Sequence, residues 1–155
     1  IDDNGTPDDS SDDQPLPGHN TVGQHTFAMV SPVDGTENVA VCQGCHSGVE
    51  SFAFDAAGDY DGDGAVETNQ DEVAGLLEVL QGALEANGVV VLDHYPYFEL
   101  PEDASVDVKG AVYNFKMIRD DQGSVVHNLK YSVGLLQLSY AKLTGEPVPG
   151  ATLVE

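Results

Sequence analysis

Apolar residues recur at helical spacing in three stretches of the second half of the chain. The first runs from about residue 70 to residue 87, and its apolar positions are Val73, Leu76, Leu77, Leu80 and Leu84. Residues three and four apart share one face of an α-helix, so this stretch predicts a helix with a buried face. Asn69 is expected to cap its start with Glu72 as the capping-box partner, and Gly88 follows its end.

Two further helices are predicted by the same spacing. One covers about residues 108 to 119, where the shared side comprises Val108, Ala111, Val112, Phe115 and Ile118. The other covers about residues 128 to 143, where the repeating positions are Leu129, Val133, Leu136, Tyr140 and Leu143. Gly145 and Pro147 end it.

The rest of the pattern favours loops. Residues 31–38 and 92–104 are predicted as irregular connections, and little sheet is expected. Apolar runs such as Val89–Leu92 are far shorter than the roughly 20 residues that span a bilayer, so we expect no transmembrane segment. The expected fold is mainly α: a small helical domain with long loops.

The first 18 residues differ from the rest in composition. They contain six Asp and three Pro with hardly any large apolar side chain, a composition that cannot form a core. The sequence therefore predicts an acidic extended arm at residues 1–18, followed by one domain at residues 19–155. The first residue is Ile rather than Met, which fits a chain whose export signal has been removed.

Charge is distributed unevenly along the chain. The net charge is −22, and all five basic residues, Lys109, Lys116, Arg119, Lys130 and Lys142, lie after residue 108. Such a field repels nucleic acid and anionic lipid and favours cations or basic partners. We therefore expect no nucleic-acid binding; a solvated acidic surface is the simpler alternative to a specific electrostatic role.

Both cysteines of the chain lie in one motif, Cys42-Gln43-Gly44-Cys45-His46, which matches the attachment site of a c-type haem. Two thiols three positions apart on a helical turn can each bond a vinyl group of one porphyrin. The imidazole of His46 then lies under the ring and can bind its iron. The motif predicts one covalently attached haem.

Three other uses of two cysteines compete with the haem. A thioredoxin-like redox pair would follow a strand, but the flanking sequence is rich in Gly, Pro and Asp. A zinc site would need further ligands from histidines, and a disulfide over two intervening residues would close too small a loop to stabilise much. The second axial position of the iron has as candidates His19, His25, His94, His127, Met29 and Met117. Bis-His ligation is the natural interpretation of this set, and an open position would instead indicate an enzyme or a gas sensor.

A second motif lies at Asp59-Tyr60-Asp61-Gly62-Asp63-Gly64 and resembles the start of an EF-hand calcium loop. Its expected ligands are Asp59, Asp61, Asp63, the Ala65 carbonyl, Glu67 and Asp71. Position 12 departs from the pattern because it is Gln70, with Asp71 and Glu72 directly after it. The motif predicts calcium beside the first long helix; the alternative is an acidic turn that caps this helix.

The order of these motifs resembles the C-terminal region of large secreted multihaem cytochromes c over about residues 19 to 144. The likeness comprises His25-Thr26-Phe27, the attachment motif, the acidic loop, Ala111-Val112-Tyr113-Asn114-Phe115, and Val126-His127-Asn128-Leu129-Lys130-Tyr131. In that family, histidines matching His25 and His127 often ligate haems other than the nearest one. This chain has a single attachment motif, so the resemblance implies that one of the two histidines is redirected, idle or turned toward a neighbour's haem.

The resemblance implies electron transfer at or beyond the cell surface. The family it points to includes members that polymerise into conductive filaments. We therefore expect a monohaem electron carrier, not an enzyme, that is extracellular or at the cell surface and is a subunit of a homopolymeric cytochrome filament. A periplasmic shuttle that docks redox partner proteins is the alternative, and a haem enzyme or ligand sensor is a third. His127 is the expected distal iron ligand, with His25 as its alternative.

Overall fold

The computed structural model describes residues 29–31, 35–120 and 124–154. These residues fall into two units that divide between Phe52 and Ala53. The arm expected at residues 1–18, its boundary with residue 19, and the candidate ligands His19 and His25 all lie outside the described residues.

In the described part of the first unit, the chain forms turns around the cysteine motif. Val30 and Glu37 form an isolated antiparallel bridge beside the segment predicted as irregular. A short 3-10 helix at Val39–Val41 leads into Cys42. The Glu37 carboxylate accepts hydrogen bonds from the Ser51 hydroxyl at 3.0 Å and the Phe52 amide at 2.7 Å, which joins the segments before and after the cysteine motif.

The second unit is mainly α-helical, as the apolar spacing predicted. Its helices are α1 (Asn69–Ala86), α2 (Val106–Asp120), α3 (Ser124–His127) and α4 (Leu129–Thr144). Helix α4 packs against both α1 and α2. The fully buried residues at the centre of this packing are Leu76, Leu80, Leu84, Val133 and Leu136. All five apolar positions predicted for the inner face of α2 are also buried.

Helix α1 starts one residue earlier than predicted because its cap is Thr68 rather than Asn69. Thr68 is extended, and its hydroxyl accepts a hydrogen bond from the Asp71 amide, the interaction that defines an N-cap. The expected capping-box role of Glu72 is also wrong. Its carboxylate turns away from the helix start to accept hydrogen bonds from the Tyr60 and Glu67 amides.

The last predicted helix, at about residues 128 to 143, is α4. A short helix that was not predicted, α3, precedes it; α3 ends at His127, and Asn128 separates it from α4. The end of α4 agrees with the sequence: Gly145 adopts a left-handed φ of 82° and its amide bonds the Ala141 carbonyl.

A small hairpin lies between α1 and α2, where an irregular segment was predicted. Strands β1 (Val90–Val91) and β2 (Phe98–Glu99) pair antiparallel, with Val90 opposite Glu99. The Phe98 ring packs edge-on against Phe115 of α2 at 5.7 Å between centroids. This contact attaches the hairpin to the helical core.

The C-terminal segment covers the acidic loop that precedes α1. The Gln137 side-chain amide, from α4, donates to the Tyr60 carbonyl at 3.0 Å and the Thr152 carbonyl at 2.9 Å. Its oxygen accepts from the Val154 amide at 3.1 Å. A single buried side chain therefore joins α4, the loop and the C-terminal segment. In the part of the chain that the structure describes, no helix is both long enough and apolar enough to cross a membrane.

Candidate functional sites

The cysteine motif forms one helical turn. The Cys45 and His46 amides both donate to the Cys42 carbonyl, at 3.1 and 2.8 Å, and the Cys42 amide donates to the Val39 carbonyl at 2.9 Å. Residues three and four apart on such a turn lie on the same side. The local backbone therefore gives the two thiols and the imidazole of His46 the spacing that a porphyrin attachment requires.

The environment of this turn fits an attached porphyrin. Both cysteines are free thiols, with Cys42 half-buried and Cys45 exposed, and His46 is exposed as well. The Gln43 amide group bonds the Val49 carbonyl at 3.0 Å and fixes the exit of the turn. Among the described residues, the groups of three or more side chains near enough to share a metal contain only carboxylates.

The candidate distal ligands are scattered. His94 is exposed, and its Nδ1 lies 2.7 Å from an oxygen of Asp93. Met117 packs against the hydrophobic core from α2, and Met29 is half-buried in the first unit. His127 is exposed at the end of α3.

His127 lines a depression of about 440 Å³ in the second unit. Apolar side chains of Val125, Val126 and Leu129 share this depression with the ring of Tyr131. Asn69, Asn128 and Lys130 also line it, so the exposed imidazole lies among both apolar and polar groups.

The acidic loop is folded around its own backbone amides. Asp59 accepts from the amides of Gly62 at 2.6 Å and Gly64 at 2.9 Å, and Asp63 accepts from Ala65 at 2.7 Å. The Asp61 carboxylate accepts from the Asp63 amide at 3.1 Å. These bonds turn the carboxylates of alternate residues toward one another.

Two overlapping groups of carboxylates result. Oxygens of Asp59, Asp61 and Glu72 lie within 4.8 Å of one another, and so do oxygens of Asp61, Asp63 and Glu67. Asp61 belongs to both groups, so the other four carboxylates, three from the loop and Glu72 from α1, lie around it. Oxygen ligands at this density suit a hard divalent cation such as calcium.

Glu72 is the member of this cluster that the sequence motif did not identify. Its side chain is only 1% exposed, and it bonds the Tyr60 amide at 2.6 Å and the Glu67 amide at 2.9 Å. A signal was present in the sequence, because Glu72 lies four and eight residues before Leu76 and Leu80 and so belongs to the buried face of α1. A charged residue at such a position needs a polar partner.

Asp71, which the motif nominated, has a different neighbour. Its carboxylate accepts a hydrogen bond from the Thr68 hydroxyl at 2.6 Å, and it belongs to neither of the two carboxylate groups. Asp71 therefore belongs to the start of α1, as the alternative of an acidic helix cap would have it. The other carboxylates predicted for the calcium site, Asp59, Asp61, Asp63 and Glu67, lie together. Ala65 is exposed at the turn that contains Asp63.

The pKa values of two carboxyls in this cluster, those of Asp61 and Glu67, are raised. Burial raises the pKa of the Asp61 carboxyl above its usual 3.8, and the carboxylates of Asp63, Glu72 and Asp59 raise it further. Loss of hydration raises the pKa of Glu67, and the neighbouring carboxylates add to this effect. Both shifts mean that the loop resists having all its carboxyls ionised together unless a cation is present.

Comparison of the chain with protein-family models, with curated proteins and with solved structures finds no match.

Proposed function

We propose that this chain is a monohaem c-type cytochrome that transfers electrons outside the cytoplasm. The observation that supports the proposal is the Cys42–His46 turn, whose two free thiols and imidazole follow one another on a single exposed helical turn. In this proposal Cys42 and Cys45 form the thioether bonds and His46 binds the iron. A c-type haem supplies a one-electron centre when bound. The chain's own residues hold and orient it and set its exposure to water.

His127 is the distal ligand in this proposal, with His25 as the alternative. The depression around His127 supports this assignment because it leaves the imidazole accessible and places the apolar side chains of Val125, Val126 and Leu129 beside it. Two imidazole ligands leave no open coordination position. The expected chemistry is therefore electron transfer rather than catalysis.

The acidic loop binds calcium in this proposal, through Asp59, Asp61, Asp63 and Glu67. The support is the two groups of carboxylates whose oxygens lie within 4.8 Å of one another, together with the EF-hand spacing of the three aspartates. Calcium there would neutralise the carboxylates that adjoin the start of α1. Its role is structural.

The proposed assembly is a homopolymeric filament at or beyond the cell surface. Its support is the uneven charge along the chain and the presence of two family-like histidines with one attachment motif. The second candidate is a soluble periplasmic shuttle, which the net charge of −22 favours because it would attract basic redox partners. Electron microscopy of the purified protein at physiological salt and calcium separates the two, because only the first forms filaments.

Haem attachment is tested by intact-chain mass spectrometry after denaturation. The chain produced in cells that mature c-type cytochromes should retain the mass of one haem, and a Cys42→Ala/Cys45→Ala double variant should not. A wild-type mass equal to the bare polypeptide under these conditions would refute the proposal.

The distal ligand is tested by substitution and optical spectroscopy. His127→Ala should convert a low-spin six-coordinate iron to a high-spin form, whereas His94→Ala, which also removes an exposed histidine, should leave the spectrum unchanged. A low-spin spectrum that survives His127→Ala but not His25→Ala would assign the ligand to His25 instead.

A further inference from the structure

Helix α2 has an outer face that differs in charge and chemistry from the rest of the molecule. Val106, Lys109, Tyr113, Lys116 and Asp120 form what we call the α2 outer face; four of them are exposed, and the Lys116 side chain is 44% exposed. At 100° per residue all five fall within an arc of about 80°. They lie opposite the face that packs in the core.

This face is apolar and basic at once. Val106 is 85% exposed and Tyr113 is 69% exposed, with Lys109 one turn before Tyr113 and Lys116 one turn after it. Three of the five basic residues of the whole chain belong to α2, where they outnumber its two acids. In a protein of net charge −22, such a surface attracts the protein's own acidic parts.

The neighbouring hairpin extends the same surface. The Lys116 ammonium lies 5.0 Å from the centre of the Tyr97 ring, and the Arg119 guanidinium lies 5.7 Å from it. Tyr95 is 82% exposed and stacks edge-on against Tyr97. Aromatic rings beside cations are enriched at protein interfaces, where they supply contact area at a low cost in side-chain entropy.

We infer that the α2 outer face binds the acidic segment of residues 1–18 from a second copy of this chain. This segment contains six Asp in three adjacent pairs, at residues 2–3, 8–9 and 12–13, followed by Pro15, Leu16 and Pro17. The inference rests on the proposed self-assembly and names the surface that mediates it.

The spacing of charges agrees on the two sides. Lys109 and Lys116 are seven residues apart on a helix, which separates them by about 10 Å along its axis. The Asp pairs at residues 8–9 and 12–13 are four residues apart, about 13 Å in an extended peptide. One Asp pair can therefore meet Lys109 while the other approaches Lys116, which it shares with Asp120 of the same face. The Pro-Leu-Pro sequence supplies an apolar group for Tyr113 and Val106.

The binding experiment uses the full-length protein and a fluorescently labelled synthetic peptide of residues 1–18, titrated at low and at high sodium chloride. We expect saturable binding at low salt that weakens steeply as salt rises. A peptide with its six Asp replaced by Asn is the charge control and should not bind. Absence of saturable binding by the acidic peptide at low salt would overturn the inference.

The surface is identified by two charge-reversed variants. Lys109→Glu/Lys116→Glu should weaken peptide binding by about tenfold or more, because two attractive contacts become repulsive. Lys142→Glu/Lys130→Glu makes the same change in net charge on α4 and should have a much smaller effect. An equal loss in both variants would show a response to net charge alone and would contradict the inference.

The same variants separate this inference from the proposed function. Sedimentation velocity of the full chain should show self-association that Lys109→Glu/Lys116→Glu abolishes, while the haem mass and spectrum remain those of the wild type. Loss of the haem with retained peptide binding would refute only the proposed function. A haem-loaded chain that self-associates equally well with the α2 variant would refute only the inference.

Discussion

Glu72 is the residue on which the acidic loop depends most directly. It is buried, its two oxygens accept amides from both ends of the loop, and it adjoins Asp59 and Asp61. A glutamine at this position keeps the shape but turns one acceptor into a donor that faces an N–H group. It also removes a charge that calcium would neutralise.

Glu72→Gln should therefore destabilise the protein in calcium by about 1–3 kcal/mol, the cost of a buried donor left without its acceptor. In chelator the loss should be smaller, because the amide relieves repulsion among the carboxylates. Urea unfolding in the two conditions measures both values. Glu78→Gln, on an exposed turn of the same helix, is the control. An equal loss of unfolding free energy with and without calcium would show that Glu72 only accepts hydrogen bonds from the loop and takes no part in calcium binding.

Asp120 gives the chain a small pH-dependent contribution to stability. Burial alone would raise the pKa of this carboxyl, but hydrogen bonds from Lys116 and Arg119 outweigh it and hold the pKa below its usual 3.8. A lowered pKa means that the folded state binds the proton less readily than the unfolded state. The stabilisation is therefore present above pH 3.8 and disappears as the pH falls through the lower, folded-state value.

Asp120→Asn should lower the free energy of unfolding at neutral pH by less than about 1 kcal/mol, since the ion pairs are partly exposed. Well below pH 3.8 the variant and the wild type should be equally stable. Urea unfolding across this range tests the prediction, with Asp103→Asn in the preceding loop as the control. A difference that persists in strong acid would exclude the ion pairs as its cause.

At the scale of elements, α1 approaches the acidic loop so closely that only glycine fits at one position. A Cβ atom at Gly75 would clash with the Asp61 carboxylate, whereas a Cβ at Gly82 would meet nothing within 4 Å. Both glycines are in the same helix, so they have the same intrinsic cost relative to alanine. Their different surroundings make them a matched pair.

Gly82→Ala should stabilise the protein by about 1 kcal/mol through helix propensity. Gly75→Ala should instead destabilise it and weaken calcium binding, because Asp61 must move away from the other carboxylates. Thermal unfolding and calorimetric titration with calcium chloride measure the two effects. Equal stabilisation by both substitutions would show that Asp61 moves freely and does not need its position beside α1.

Helix identity was predictable from the sequence, whereas helix ends and the hairpin were not. The inner face of α2 followed directly from periodicity, which depends only on local spacing. The start of α1 depended on a choice between Thr68 and Asn69, two adjacent residues that both favour capping. The pairing of Val91 with Phe98 depends on the contact of Phe98 with Phe115, which no local pattern contains.

The two candidate sites also differ in how far their parts lie apart along the sequence. The cysteine turn is local, so five consecutive residues were enough to predict it. The acidic loop is closed by Glu72 from α1 and by Gln137 from α4, 77 residues after Tyr60. Sequence spacing identified the aspartates of the loop, but only the packing of the helices identified the side chains that hold it.

At the scale of the whole molecule, charge is the dominant feature. With 27 acidic and 5 basic residues, the folded chain is destabilised by self-repulsion, which any salt reduces by screening. A cation bound at the loop would add a second stabilisation that depends on binding rather than on ionic strength. The two effects can be separated because screening depends on the total ionic strength, whereas binding at the loop depends on the concentration of the bound cation.

Sodium chloride should raise the melting temperature gradually over a wide range of concentration. Calcium chloride at about 1 mM should raise it by roughly 5–10 °C if this is about a hundredfold above the dissociation constant. Asp61→Asn should lose the calcium response and keep the sodium response, because it alters the loop and hardly changes the net charge. Asp103→Asn makes the same change in charge at an exposed position and should keep both. A calcium response no larger than that of sodium at matched ionic strength would show that the loop is an acidic turn without a cation site.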